Sequence, residues 1–236
     1  MWFGFIFKLH YEKAYDRVDR GFLLKMLVAR GFGKKFLYLI MSFLEQGSVD
    51  VRVNDVNSEF FVSNRGVRQG DPASPVLFNL VADVFTRMLI KAADNGLITG
   101  LLHGFNRVGV ISMQYADDTL LFLKADKDCA MNLKWLLSCF EQLSGMRINF
   151  HKCDLVPINV DPEEAQIFAQ ILSCKLGAFP LKYLGVPLHH SKLRKEDLQP
   201  VVDKLIKKLR VGEVDSFLMR LSWSWLEVSW LAFLFI

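Results

Sequence analysis

Residues 111–123 read Ile-Ser-Met-Gln-Tyr-Ala-Asp-Asp-Thr-Leu-Leu-Phe-Leu. The flanks, Ile111-Ser112-Met113 and Thr119 to Leu123, are the β-branched, aromatic and aliphatic residues of strands. Between them stand two adjacent carboxylates, Asp117 and Asp118. Neighbouring side chains of a strand point to opposite faces, so these two converge on one spot only in a tight turn. The segment therefore predicts a buried hairpin with both aspartates at its tip. Like charges that close raise each other's pKa unless a cation relieves them. Mg²⁺ suits the need: it takes oxygen ligands, usually one or two carboxylates together with substrate phosphates. The pair points to metal-assisted phosphoryl transfer. The plainer alternative is a solvated turn that happens to carry two aspartates.

Periodicity and turn residues place the rest of the chain around this hairpin. Phe5 to Tyr11 predicts a buried strand. Phe22 to Arg30 and Lys35 to Gln46 predict helices, stopped by Gly31 and Gly33 and by Gly47. Val49 to Asn54 and Phe60 to Ser63 predict a short hairpin around Asn54-Asp55-Val56-Asn57. Arg65 to Pro75 is polar and rich in Gly and Pro, hence a loop, and a long helix follows to Asp94, capped by Asn95-Gly96. After the aspartate hairpin come a helix from Asp126 to Leu143 and a short strand from Arg147 to Phe150. A helix from Pro162 to Leu172, a strand pair from Leu181 to Leu188 turning at Gly185, and a helix from Glu196 to Leu209 complete the order. Antiparallel strands mixed with helices predict an α+β layer fold.

With 236 residues, 52% hydrophobic and 23% charged, the chain is long and apolar enough for a real core and is not of the disordered type. A net charge of +4 fits a nucleic-acid partner without requiring one. Cys129, Cys139, Cys153 and Cys174 form no CxxC pair, so they read as reduced intracellular thiols rather than a disulfide framework or zinc site. The apolar start, Met1 to Phe7, lacks a basic leader and a cleavage site, and the apolar end, Val228 to Ile236, is too short to span a bilayer.

Five ordered blocks carry a resemblance. Tyr115-Ala116-Asp117-Asp118 resembles the YxDD box of reverse transcriptases. Gly66-Val67-Arg68-Gln69-Gly70-Asp71-Pro72-Ala73-Ser74-Pro75-Val76-Leu77-Phe78 resembles their substrate-binding loop and helix. Glu12-Lys13-Ala14-Tyr15-Asp16 resembles the tail of the first catalytic box. The stretches Phe140 to Lys152 and Leu181 to Leu188 resemble the next two boxes. Together they resemble the reverse transcriptase of non-LTR, LINE-type retrotransposons, in the variety typical of plant genomes. The resemblance implies a right-handed polymerase palm with truncated fingers and a partial thumb. It also implies RNA template, DNA primer, dNTP and two Mg²⁺ ions as ligands, no membrane, and an intracellular, nuclear place of action. By position it implies Asp117 as principal metal ligand and Asp118 as the second carboxylate. Tyr15 would lie under the nucleotide sugar, Arg68 at a phosphate, and Gln69 and Gly70 beside nucleotide and template. Lys152 would protonate the leaving pyrophosphate, and Tyr183, Leu184 and Gly185 would grip the primer. Arg65, Lys182, Lys192, Arg194 and Lys195 are further cations that could meet phosphates.

One position departs from the pattern. The family's first box reads Lys-Leu-Asp-Phe/Tyr-Glu-Lys-Ala-Tyr-Asp, whereas this chain has Lys8-Leu9-His10-Tyr11-Glu12-Lys13-Ala14-Tyr15-Asp16. His10 stands where the resemblance implies the third, bridging aspartate. A neutral imidazole offers one lone pair and an imidazolium none, so it cannot bridge two hard cations. Loss of that charge also weakens a transition state stabilised mainly by electrostatics. Glu12, two residues on, lies on the same strand face but about 6–7 Å away, too far to substitute. The expectation is a palm over residues 1–195, the start of a thumb over 196–210 and severely reduced polymerase activity. The alternative is a non-catalytic nucleic-acid-binding remnant. Residues 211–236 read as a frameshifted tail. Shifting the frame from Arg210 permits Gly-Trp-Arg-Gly-Arg-Leu-Leu-Ser-Tyr-Ala, and from Trp230 Ala-Ser-Ile-Pro-Ile-Tyr, both resembling the family's thumb.

Overall fold

A computed structural model describes residues 3–45, 48–49, 52–59, 61–101, 109–189, 193 and 195–210. These form two compact units, Met1–Leu176 and Gly177–Ile236. In the first, strand β1 (Gly4–Leu9) is followed by β2 (Tyr11–Glu12) and helices α1 (Ala14–Arg17), α2 (Arg20–Ala29) and α3 (Lys34–Glu45). Strands β3 (Ser48–Val49), β4 (Arg52–Val53), β5 (Val56–Asn57) and β6 (Phe61–Val62) precede the long helix α4 (Ser74–Asp94). The aspartate hairpin is β7 (Ser112–Tyr115) and β8 (Asp118–Lys124), followed by α5 (Lys127–Ser144) and β9 (Arg147–Ile148). A 3₁₀ turn (Phe150–Lys152), β10 (Asp154–Ile158), α6 (Pro162–Leu172) and β11 (Lys175–Leu176) close this unit.

The central sheet has the order β11-β10-β1-β8-β7. β1 lies in the middle, antiparallel to β8 on one side and to β10 on the other. Its sequence, Gly-Phe-Ile-Phe-Lys-Leu, is nearly continuous in apolar residues, as suits a strand buried on both faces. Phe5, Phe7 and Leu9 enter a core shared with Phe78, Val81, Phe85 and Leu89 of α4 and with Leu133, Leu137 and Phe140 of α5. Phe5 meets Phe168 of α6 with ring centroids 5.5 Å apart, and Phe85 meets Phe140 at 4.9 Å. Ile6, Leu120, Phe122 and Val156, on the other face, are also buried.

The helix starts follow local chemistry. Asp19 accepts a hydrogen bond from the Phe22 amide at 2.7 Å and Asp126 one from the Cys129 amide at 3.0 Å, so both satisfy a free amide of the first turn. Pro75 sits in the first turn of α4, where its missing N–H costs nothing.

The predicted hairpin around Asn54 forms, with Arg52 opposite Asn57 and Val53 opposite Val56, and the outer pair joins β3 to β6. Residues 46–47, 50–51 and 60, which the predicted helix and hairpin also include, lie outside the described residues. The predicted strand Phe5 to Tyr11 is corrected: β1 ends at Leu9, and after His10 the chain moves to a second, two-stranded sheet of β2 with β9. The second unit holds a hairpin, β12 (Leu181–Tyr183) with β13 (Val186–Leu188), and helix α7 (Lys195–Arg210), which carries Pro200 inside it. Among the described residues no helix is long and apolar enough to cross a membrane.

Because Phe7 is fully buried in the strand that both neighbours pair with, Phe7→Ala should lower unfolding stability by about 3–5 kcal/mol. A urea titration followed by tryptophan fluorescence and circular dichroism checks this.

Candidate active site at the end of the central sheet

The two aspartates occupy different kinds of position. Tyr115 pairs with Asp118, which leaves Ala116 and Asp117 as a two-residue turn. Ala116 takes φ 51°, a left-handed value that costs a residue with a Cβ roughly 1–2 kcal/mol. Asp117 is exposed at the tip, and Asp118, half-buried, opens β8. One further residue along, Thr119 turns into the core and is buried. The carboxylates are thus held at the water-facing end of an apolar ribbon, one in the turn and one at the start of β8.

The register of β1 brings in the third position. Lys8 lies opposite Leu120 and Leu9 opposite Thr119. The pairing ends there, and His10 follows directly on Leu9 at the end of the sheet where Asp118 precedes Thr119. His10 is exposed, and its main chain is fixed from the other side. The Asn149 amide donates to the His10 carbonyl at 2.8 Å, and the His10 amide donates to Cys153 Sγ at 3.3 Å. The Lys152 amide donates to the Asn149 carbonyl at 2.9 Å, which places the exposed Lys152 in the turn that holds His10.

Tyr15 reaches the same place from α1. Its ring stacks on Phe78 at 4.5 Å and 12°. Burial pushes its phenol above the usual value, and the negative charge of Asp117 adds to the effect. The loop of Arg68, Gln69 and Gly70 is tied to the same short helix. The Val67 amide donates to the Tyr15 carbonyl and the Gly66 amide to the Val18 carbonyl, both at 2.8 Å. Arg20 Nε donates to the Gly66 carbonyl at 3.0 Å. Burial lowers the Arg20 pKa; Glu45 opposes that, and the nearby charge of Arg68 reinforces it. Beyond the loop, Asp71 Oδ1 accepts from the Ala73 amide at 2.9 Å and leads the chain into α4. Arg68, Gln69 and Gly70 themselves are exposed.

One unit therefore carries His10, Tyr15, Arg68, Gln69, Gly70, Asp117, Asp118 and Lys152. Tyr183, Leu184 and Gly185 belong to the other, where Leu184 (φ 50°) and Gly185 (φ 85°) form the two-residue turn between β12 and β13. Of the other cations named from sequence, Lys192 and Arg194 lie outside the described residues.

Sequence reasoning missed the part played by Asn149 and Cys153, which hold the position-10 backbone. It also placed Glu12 on the strand of His10, and the break after Leu9 corrects this. Glu12 sits on β2 and accepts from Arg17 at 3.0 Å, with Arg147 4.0 Å away, so its carboxylate is committed elsewhere.

Two magnesium ions require a bridging acid beside Asp117 and Asp118. The residue that follows β1 at this end of the sheet, His10, offers an imidazole. Among the described residues, no group of three or more His, Cys, Asp or Glu side chains is placed to hold a metal ion. The donors present do not fit a two-metal centre.

A profile of the family described as "Reverse transcriptase (RNA-dependent DNA polymerase)" matches residues 5–188. The chain is similar to the "Retrovirus-related Pol polyprotein from type-2 retrotransposable element R2DM" of Drosophila melanogaster. They are 29% identical over 219 residues, covering 86% of this chain and 20% of that polyprotein, so the chain spans about a fifth of its length. It is also similar to the "Uncharacterized mitochondrial protein AtMg01250" of Arabidopsis thaliana, 33% identical over 67 residues, covering 28% of this chain and 55% of that protein. Among solved structures, apo telomerase of Candida tropicalis, truncated from its C-terminal domain, superposes with a TM-score of 0.54 at 16% identity. That match covers 69% of this chain and 32% of that one, a likeness of fold. The fold is the right-hand polymerase fold, with its central antiparallel sheet.

The two loop glycines should respond differently to alanine. A Cβ at Gly66 (φ 76°) would lie 2.6 Å from the Asp16 carbonyl oxygen, whereas one at Gly70 (φ 87°) would meet nothing within 4 Å. Gly70→Ala should cost about 1 kcal/mol of backbone strain. Gly66→Ala should cost clearly more, and free the 65–71 loop for cleavage. Urea midpoints and limited trypsin digestion at Arg65 and Arg68 measure both effects.

Proposed function

The chain belongs to the reverse transcriptase (RNA-dependent DNA polymerase) family, and from that premise we propose that it is an impaired copy of a LINE-type element's polymerase palm. Its kinship is with the reverse transcriptase domain of non-LTR retrotransposons. The plant variety is supported by the form of the five sequence blocks and by the 67-residue likeness to an Arabidopsis thaliana protein. In this reading RNA template, DNA primer and dNTP are the ligands, the reaction is nucleotidyl transfer, and the place of action is the nucleus.

Each residue keeps the role its position suggests. Tyr15, stacked on Phe78 beside Asp117, packs under the sugar of the incoming nucleotide. Arg68 meets phosphate, and the open backbone at Gln69 and Gly70 lets nucleotide and template approach. Lys152 faces the leaving pyrophosphate, and Tyr183, Leu184 and Gly185 hold the primer end. Residues 1–195 then serve as palm and 196–210 as the start of the thumb. The proposed frameshifted tail, 211–236, lies outside the described residues, and the nucleotide sequence decides it: the shifted frame must encode the thumb-like strings.

One observation supports the impairment: β1 pairs with β8 up to Leu9 and Thr119, so His10, which stands at the bridging acid's place in the sequence pattern, follows at the end of the sheet that carries Asp118. An imidazole cannot hold two hard cations together, and it leaves the developing charge of the transition state less compensated. The second reading, a non-catalytic nucleic-acid-binding remnant, draws on the cations Arg65, Arg68 and Lys182.

The decisive comparison is His10 against His10→Asp in a full-length element protein carrying this palm, assayed by primer extension on RNA with Mg²⁺. Restoring the acid should raise the rate by at least ~100-fold, the scale of one lost electrostatic group. Equal rates would show that position 10 does not limit the chemistry. Salt-dependent binding of a primer–template by both forms, with extension by neither, would select the remnant.

A further inference from the structure

Cys153 and Cys174 directly precede the paired strands β10 and β11. β10 and β11 run parallel, with Asp154 opposite Lys175 and Leu155 opposite Leu176. One step back along this register sets Cys153 opposite Cys174, and the Lys175 amide donates to the Cys153 carbonyl at 3.2 Å, which pins the two chains at that point. Adjacent strands lie about 4.7–4.9 Å apart. That spacing falls inside the Cα separations a disulfide accepts, about 4.4–6.8 Å. Paired residues of neighbouring strands also project to the same face of a sheet, as a disulfide requires.

Neither thiol is used by the fold as a ligand or bridge, and both are free. Cys153 Sγ takes part in local hydrogen bonding, accepting from the His10 amide at 3.3 Å and donating to the Asn149 carbonyl at 3.2 Å. Lys134 stands close by, its ammonium donating to the Leu172 carbonyl at 3.1 Å and lying 3.3 Å over the Phe150 ring.

We propose that Cys153 and Cys174 are a disulfide-forming pair, oxidised by a low-molecular-weight disulfide such as glutathione disulfide. Two S–H bonds break and one S–S bond forms. The two electrons and two protons pass to glutathione disulfide, which leaves as two glutathione molecules. Burial pushes the Cys153 thiol up to about 11 and the Cys174 thiol up to about 12, so few thiolates exist in the folded state at neutral pH. The exchange therefore belongs to folding, or to alkaline conditions, when the thiols reach solvent.

Loop length gives the test its discrimination. In an unfolded chain shorter loops close more readily, which favours Cys129 with Cys139 and Cys139 with Cys153 over Cys153 with Cys174. The reduced chain would be refolded at pH 8.5 in a glutathione redox buffer, alkylated, digested and mapped by mass spectrometry, with a parallel sample kept in concentrated urea. The expected result is a dominant Cys153–Cys174 cross-linked peptide on refolding, and the short-loop pairs in urea. A second arm applies diamide at pH 9 to chain purified in soluble form, so that poor refolding does not decide the outcome; the same cross-link should dominate. Equal yields of all pairings in both arms, or a Cys153–Cys174 yield no higher than in urea, would overturn the proposal.

Discussion

The structure depends on one strand being hydrogen-bonded on both sides. β1 is antiparallel to β8 and to β10, and its Phe5, Phe7 and Leu9 are anchored in the helical core. A strand buried on both faces and paired along both edges cannot slip by one residue without turning its whole apolar set the wrong way. Its end is consequently a fixed point in space. The hairpin tip on one side and the Asn149–Lys152 turn on the other are located relative to that end. The candidate site is therefore a consequence of sheet register rather than of loop conformation, the sort of rigid support that catalytic geometry needs.

A second layer of fixing comes from α1 and the loop that follows β6. Tyr15 offers its ring to Phe78 of α4 and its carbonyl to the Val67 amide. The same residue thereby packs into the core and anchors the loop that carries Arg68, Gln69 and Gly70. Arg20, at the start of α2, holds the Gly66 carbonyl. An exposed loop with no regular structure of its own is held at its base by hydrogen bonds to Tyr15, Val18 and Arg20 while its tip stays open. That arrangement joins a rigid approach to a surface on which a ligand can lie.

Much of this was legible in the sequence, and the failures have physical causes. The helices declared themselves through caps: Asp126 before α5 and the Asn95-Gly96 stop after α4 are chemical signals independent of tertiary context. The aspartate hairpin was legible because alternation breaks at a charged pair. β10 was not. It contains Pro157, which argues against a strand, yet Pro157 pairs with Phe5. β11 accompanies β10 only at Asp154 and Leu155, so by Pro157 the outer edge has no neighbouring strand among the described residues, and a missing N–H there breaks no ladder. α1 and β2 escaped for a different reason: elements of two to four residues hold too few side chains to show a period. The break after Leu9 depends on pairing of β2 with β9, more than 130 residues later in the chain, and no local signal announces such a partner.

How a palm tolerates His10 follows from the same geometry. At that position the backbone does the structural work: the carbonyl accepts from Asn149 and the amide donates to Cys153 Sγ. The side chain is exposed and contributes nothing to the core. Folding is therefore nearly indifferent to what stands there, since surface substitutions away from caps, cores and buried networks change stability by about 0.5 kcal/mol or less. Chemistry is not indifferent, because only an oxygen donor with a negative charge can bridge two hard cations. On the proposed function, the selective demand on position 10 thus comes from chemistry alone. Once that demand is lifted, the residue can change while β1, its two neighbours and the helices behind them stay in place. On the proposed function, a family fold that persists around an altered position 10 is what this separation of structural and chemical constraint produces.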